Sequence, residues 1–145
     1  MIENLKAATF EVLETMFFLF PESLEESAQF FHGPGLRAWV PVAGPKKFRV
    51  GLTVSLTLAR EMATNFLGLE KDELPLEKLQ DVVKEAANMI AGAFLSREQA
   101  PQEFHLMPPH VVQLNLEDQT WRENAQHLLM AVEDEGLEVF LEKNT

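Results

Sequence analysis

The sequence has no cysteine among its 145 residues. Disulfide scaffolds, thiolate nucleophiles and cysteine-ligated zinc sites are therefore excluded. Basic residues are scarce: 12 Lys and Arg stand against 23 Asp and Glu, a formal net charge of −11. Duplex binding depends on neutralising phosphates, so this balance argues against a nucleic-acid partner. It argues equally against an anionic membrane surface. Long apolar runs are missing too. Met16-Phe17-Phe18-Leu19-Phe20 is the only early one, far short of the roughly 20 residues that a spanning helix needs. Glu11 and Glu14 interrupt any longer stretch, and Lys6 is the only basic residue ahead of it. A secretory leader is not expected, and the expected location is the cytoplasm. No Gly-rich phosphate loop or nucleophile elbow is present. His32, His105, His110 and His127 lack the tight spacing of a metal site, and Glu133-Asp134-Glu135-Gly136 lacks that of a calcium loop. No metal is expected on this chain.

What is present is an ordinary globular composition, 46% hydrophobic and 24% charged. A chain of this length buries about 70% of the surface that its unfolded form exposes. One domain spanning residues 1–145 is therefore expected. Ile2, Leu5, Phe10, Leu13 and Phe17 recur at near-helical spacing and predict a helix from Ile2 to Phe20, stopped by Pro21. A connector with Glu22, Glu25 and Glu26 leads to the turn signal Gly33-Pro34-Gly35. Strands are expected over Leu36–Val42 and Phe48–Leu58, joined at Gly44-Pro45; Phe48, Val50, Leu52, Val54, Leu56 and Leu58 alternate cleanly. Ala59 to Leu67 returns to helical spacing and ends at Gly68.

Pro75 opens a long helix that runs to about Arg97. Pro101, Pro108 and Pro109 then break regular structure. Val111–Leu114, Gln126–Val132 and Leu137–Leu141 read as strands, the last two joined by the acidic turn Glu133–Gly136. Trp39 and Trp121 are expected to be partly buried anchors. A helix followed by strands occurs in residues 2–58 and again in 76–143, a hint of internal symmetry. Helices with mainly antiparallel hairpins define an α+β class.

The long helix carries the chemistry. At about 100° per residue, with Asp81 at zero, Glu85 falls near +40°, Asn88 near −20° and Gly92 near +20°. All four share one stripe, while Leu79, Val82, Val83, Ala86, Ile90 and Phe94 gather on the opposite side. Asn is a mediocre helix former, and Gly92 costs about 1 kcal/mol relative to Ala in mid-helix. A gap one turn beyond Glu85 and Asn88 lets another surface come close. Glu supplies a negative charge and Asn a donor and an acceptor from a rigid base. That set suits docking onto a cation and orienting a small molecule such as water. A merely solvated helix face is the plain alternative.

Asp81-x-x-x-Glu85-x-x-Asn88-x-x-x-Gly92, with Pro108-Pro109 downstream, resembles the signature of the CheC/CheX/FliY family of chemotaxis phosphatases. The run Lys84-Glu85-Ala86-Ala87-Asn88-Met89-Ile90-Ala91-Gly92 looks like that family's most characteristic helix. Glu14-Thr15-Met16-Phe17-Phe18 is similar to CheX-like members, and the layout of elements covers nearly the whole chain. The resemblance implies a mainly antiparallel sheet with long helices packed on it and pseudo-duplicated halves. It also implies dephosphorylation of a phosphorylated CheY-type response regulator, which owns both the aspartyl phosphate and the Mg2+. No cofactor is then bound by this chain. Asn88 would orient the attacking water and Glu85 would pair with the regulator's active-site lysine; Asp81 and Gly92 would be accessory. This is catalysis by positioning.

Some members carry the motif twice. Here the first helix would hold the second copy, with Glu11 matching Glu85, Glu14 in place of the Asn and Phe18 in place of Gly92. A carboxylate repels an approaching phosphoryl group, so that copy is degenerate and one working site is expected. A homodimer paired through sheet edges is implied by analogy. Two competing readings remain: a non-catalytic module docking a receiver domain or flagellar switch protein, and a regulator phosphatase outside chemotaxis.

Overall fold

The computed structural model describes residues 1–24, 30–99, 103–118 and 125–143. The first helix, α1 (Ile2–Met16), buries Leu5, Ala8, Thr9, Val12 and Leu13, a stripe of helical period. It stops short of the expected Phe20. The Phe17 and Leu19 N–H groups both return to the Leu13 carbonyl, at 3.2 and 3.0 Å, and Phe18 turns to φ 54°. This is a left-handed helix stop made without glycine. Phe17 goes inward and stacks on Phe66 at 5.1 Å, while Phe18 and Phe20 face out.

A two-residue strand, β1 (Glu22–Ser23), precedes the hairpin of β2 (Pro34–Ala43) and β3 (Phe48–Ser55). The hairpin register runs from Val42 opposite Phe48 to Gly35 opposite Ser55. Leu36, Ala38, Val40 and Val42 point into the core with Phe48, Val50, Leu52 and Val54. The second strand ends three residues before the expected Leu58 because Ser55 caps a helix. Its Oγ accepts the Leu58 N–H at 3.0 Å, satisfying one free donor of α2 (Leu56–Leu67). Gly68, at φ 70°, closes that helix. The long helix is α3 (Leu76–Arg97), with Pro75 as its N-cap residue.

The remaining strands are β4 (His105–Leu106), β5 (His110–Asn115), β6 (Ala125–Val132) and β7 (Glu135–Lys143). Both β4 and β5 pair with β2, so they are one edge interrupted at Met107-Pro108-Pro109. Trp39 is half-buried and stacks on His110 at 5.4 Å. The expectations placed on Glu25, Glu26, Pro101 and Trp121 lie outside the described residues.

All strand pairings among the described residues are antiparallel. Among the described residues the sheet has seven strands in the order β1-β6-β7-β3-β2-β4, with β5 also on β2. That order is unchanged when β1, β2 and β3 are exchanged with the β4/β5 edge, β6 and β7. The hinted duplication is therefore written into the sheet, with α1 and α3 as counterparts. All three helices and the inward side chains of the strands share one hydrophobic core, an α+β architecture.

The other face of the sheet carries a buried polar group. Thr53 Oγ1 donates to Glu138 Oε1 at 2.8 Å, with Arg37 Nη2 at 3.8 Å and His127 Nδ1 at 3.4 Å from the same carboxylate. Burial pushes the Glu138 carboxyl above its ordinary range, while Thr53, Arg37 and His127 pull it back.

Candidate active site

Position on α3 decides what each candidate residue can do. The helix buries Leu79, Val82, Val83, Ala86, Ala87, Ile90, Ala91, Phe94 and Leu95. The three alanines let the backbone lie close to its neighbours. With one side fixed in the core, the opposite stripe has no rotational freedom. Asp81 and Glu85 are exposed on it, and Asn88 and Gly92 are half-buried. Glu85 and Asn88, three residues apart, have Cβ atoms about 5–6 Å apart. The structure thus brings the four stripe residues together as the spacing required.

Their partners differ. Asp81 Oδ1 lies 3.5 Å from Lys84 Nζ, an exposed pair one turn apart. Among the described residues, no hydrogen bond or ion pair engages the Glu85 carboxylate or the Asn88 amide. A Cβ built at Gly92 would meet only Leu106 Cδ1, at 3.9 Å, an ordinary contact. Internal packing therefore does not require the glycine. Leu106 also locates the downstream prolines: Pro108 and Pro109 come after Met107, between β4 and β5, where the Met107 N–H bonds the Pro41 carbonyl at 2.9 Å.

The first helix is different. Glu11 Oε2 accepts from Arg97 Nη2 at 3.2 Å, tying α1 to the last turn of α3. Asn4 donates to Glu98 across the same junction. Glu14 is exposed with no partner among the described residues. Phe18 lies beyond the helix end, so it does not occupy the helical place that Gly92 holds on α3.

Sequence reasoning missed one part of this surface. A shallow depression of about 400 Å³ lies between α2 and α3, lined by Phe66, Leu67, Lys78, Asp81, Val82 and Glu85. Lys78, Asp81 and Glu85 follow helical spacing and continue the stripe toward the helix start, with the buried Val82 beside them. That half was available in the sequence; the contribution of α2 was not. A larger concavity, about 770 Å³, opens at the other end of α3 around Phe48, Phe94 and Phe104, and contains none of the stripe residues. Among the described residues, no group of three or more His, Asp or Glu side chains is placed to hold a metal ion. No helix among them is long and apolar enough to cross a membrane.

The Glu85 carboxylate and the Asn88 amide thus stand on an open stripe of α3, itself packed on an antiparallel sheet, and not in an enclosed chamber. Residues 37–133 match the family described as chemotaxis phosphatase CheX. The chain therefore belongs to the CheX family of chemotaxis phosphatases. The same fold occurs in the chemotaxis protein CheX from Vibrio vulnificus, with a TM-score of 0.81, 20% identity, and coverage of 99% of this chain and 95% of that one. It also occurs in a CheX–CheY–BeF3–Mg2+ complex from Borrelia burgdorferi, with a TM-score of 0.70, 20% identity, and coverage of 99% and 97%. FliY from Thermotoga maritima follows at 0.60 and 17%, covering 95% and 84%. At these identities the likeness is one of fold. No curated protein matches the chain in sequence.

Proposed function

We propose that this chain accelerates hydrolysis of the aspartyl phosphate on a CheY-type response regulator, as one domain with one working site. The observation that carries the reading is the pair Glu85 and Asn88. They stand on one stripe of a helix fixed in the core, with no partner among the described residues and an unforced glycine one turn away. Membership of the CheX family supports it. So does the complex of a relative of the same fold with CheY, beryllofluoride and Mg2+.

In this reading Glu85 pairs with the regulator's lysine and fixes the approach. The Asn88 amide holds a water in line with the phosphorus. The water oxygen forms a new P–O bond as the bond to the regulator's aspartate breaks. The aspartate leaves as a carboxylate beside the regulator's own Mg2+, and the water's proton passes to phosphate or solvent. An amide is too weak a base to take that proton, so its contribution is orientation. Asp81, held by Lys84, shapes the local charge beside the site. Glu11, bound to Arg97, serves the α1–α3 junction. The setting is cytoplasmic chemotaxis signalling, and the protein acts as a homodimer.

The test is phosphate loss from a phosphorylated CheY-type receiver with Mg2+, with and without this protein. Wild type is expected to accelerate it. Asn88→Ala is expected to lose about 10²-fold or more of the acceleration, the scale of one well-placed catalytic group. Glu85→Ala should also lose most of it, while Glu11→Ala and Glu14→Ala should keep it. Wild-type binding without acceleration would favour a docking module.

A further inference from the structure

We propose that the depression between α2 and α3 selects the partner: it receives an apolar side chain carried on the receiver domain beside the lysine that Glu85 pairs. The inference rests on the receiver-phosphatase reading above and adds the residues that decide which receiver is bound.

The depression and the candidate site are one surface. Glu85 belongs to both, and Asp81 stands one turn before it on the same stripe. A partner seated on Glu85 therefore covers the depression. Its lining combines the apolar Phe66, Leu67 and Val82 with the charged Lys78, Asp81 and Glu85. Leu67 is 42% exposed at the last position of α2, a large side chain left in water where Gly68 ends the helix. The site is too open to enclose a small molecule, but it suits one side chain of a folded surface with polar contacts around it.

The wall is fixed in advance of binding. Phe66 is held by stacking on Phe17, and Asn65 Nδ2 donates to the Phe17 carbonyl at 2.8 Å. These contacts lock the end of α2 to the end of α1, so little ordering remains for the partner to impose. The adjoining Phe18 is 63% exposed at φ 54°, a backbone conformation that costs energy in a bulky residue.

The test measures binding and turnover separately for Leu67→Ser, with Leu67→Met as the conservative variant. The binding probe is a CheY-type receiver loaded with beryllofluoride and Mg2+; turnover uses the phosphorylated receiver. Leu67→Ser is expected to raise both the dissociation constant and KM about tenfold, the scale of removing one apolar group from a hydrophobic pocket. The value of kcat should remain, and Leu67→Met should restore binding. Because Leu67 is at the surface, both variants should melt with wild type. Unchanged binding by Leu67→Ser, beside an active wild type and a crippled Asn88→Ala, would overturn this inference alone. So would a loss of kcat with KM unchanged. A wild type that neither binds nor dephosphorylates any receiver would overturn both readings.

Discussion

At the scale of single residues, Gly92 separates stability from function. In mid-helix it costs about 1 kcal/mol relative to alanine, and the space around its Cα would accept a methyl group with only an ordinary contact to Leu106. Gly92→Ala should therefore stabilise the fold by about 1 kcal/mol and raise the melting temperature by about 3 °C. The same methyl fills the gap one turn from Asn88 and should slow phosphate release from a receiver. A variant that melts higher and keeps full activity would remove the gap from the mechanism. The stripe was legible because it depends on one helix. Fixing Leu79, Val83 and Ile90 in the core fixes the direction of Asp81, Glu85, Asn88 and Gly92. The depression was not legible, because Phe66 and Leu67 reach it only through the packing of α2 against α3, which no spacing within either helix reveals.

At the scale of elements, β5 is an exposed edge. It pairs with β2 on one side and has no strand on the other among the described residues. His110-Val111-Val112-Gln113-Leu114-Asn115 contains no lysine, proline or acid to discourage edge pairing, and Val112 is 43% exposed. In the proposed homodimer the two copies join along this edge. Wild type should sediment as a dimer and Val112→Lys as a monomer; a monomeric wild type would contradict the assignment. Element boundaries show where local pattern and backbone chemistry part. Period-2 alternation continues past Ser55 through Leu56 and Leu58, but the Ser55 hydroxyl finds a helix N–H and the strand ends there. α1 stops before Phe20 through a left-handed Phe18, which no glycine announces. The two-residue strands β1 and β4 are too short to carry a pattern, and their partners lie far away in the chain.

At the scale of the whole molecule, the two faces of the sheet differ in polarity. The helix-covered face is apolar, while the other buries Glu138 among Thr53, Arg37 and His127. Burial raises this carboxyl above its ordinary 4.5, so in that window the folded state holds more protons than the unfolded one. Stability from this group is full below the ordinary value and declines as pH rises through the raised one. Glu138→Gln cannot ionise and should flatten that segment of the curve. An unchanged slope in denaturant titrations across the window would show that the carboxyl is not perturbed. The proposed docking surface lies on the helical face and this carboxyl on the opposite one, so Glu138→Gln should leave receiver dephosphorylation intact at neutral pH.

In the proposed mechanism Asn88 acts on water and not on binding. The most direct measurement compares Asn88→Ala with wild type in two quantities: affinity for a beryllofluoride-loaded CheY-type receiver, and the rate of phosphate loss at saturating concentration. Affinity within a few-fold of wild type, with the rate lowered about 10²-fold or more, is the result expected of a positioning amide. A variant that loses affinity but keeps its saturated rate would make Asn88 a docking residue and contradict the mechanism.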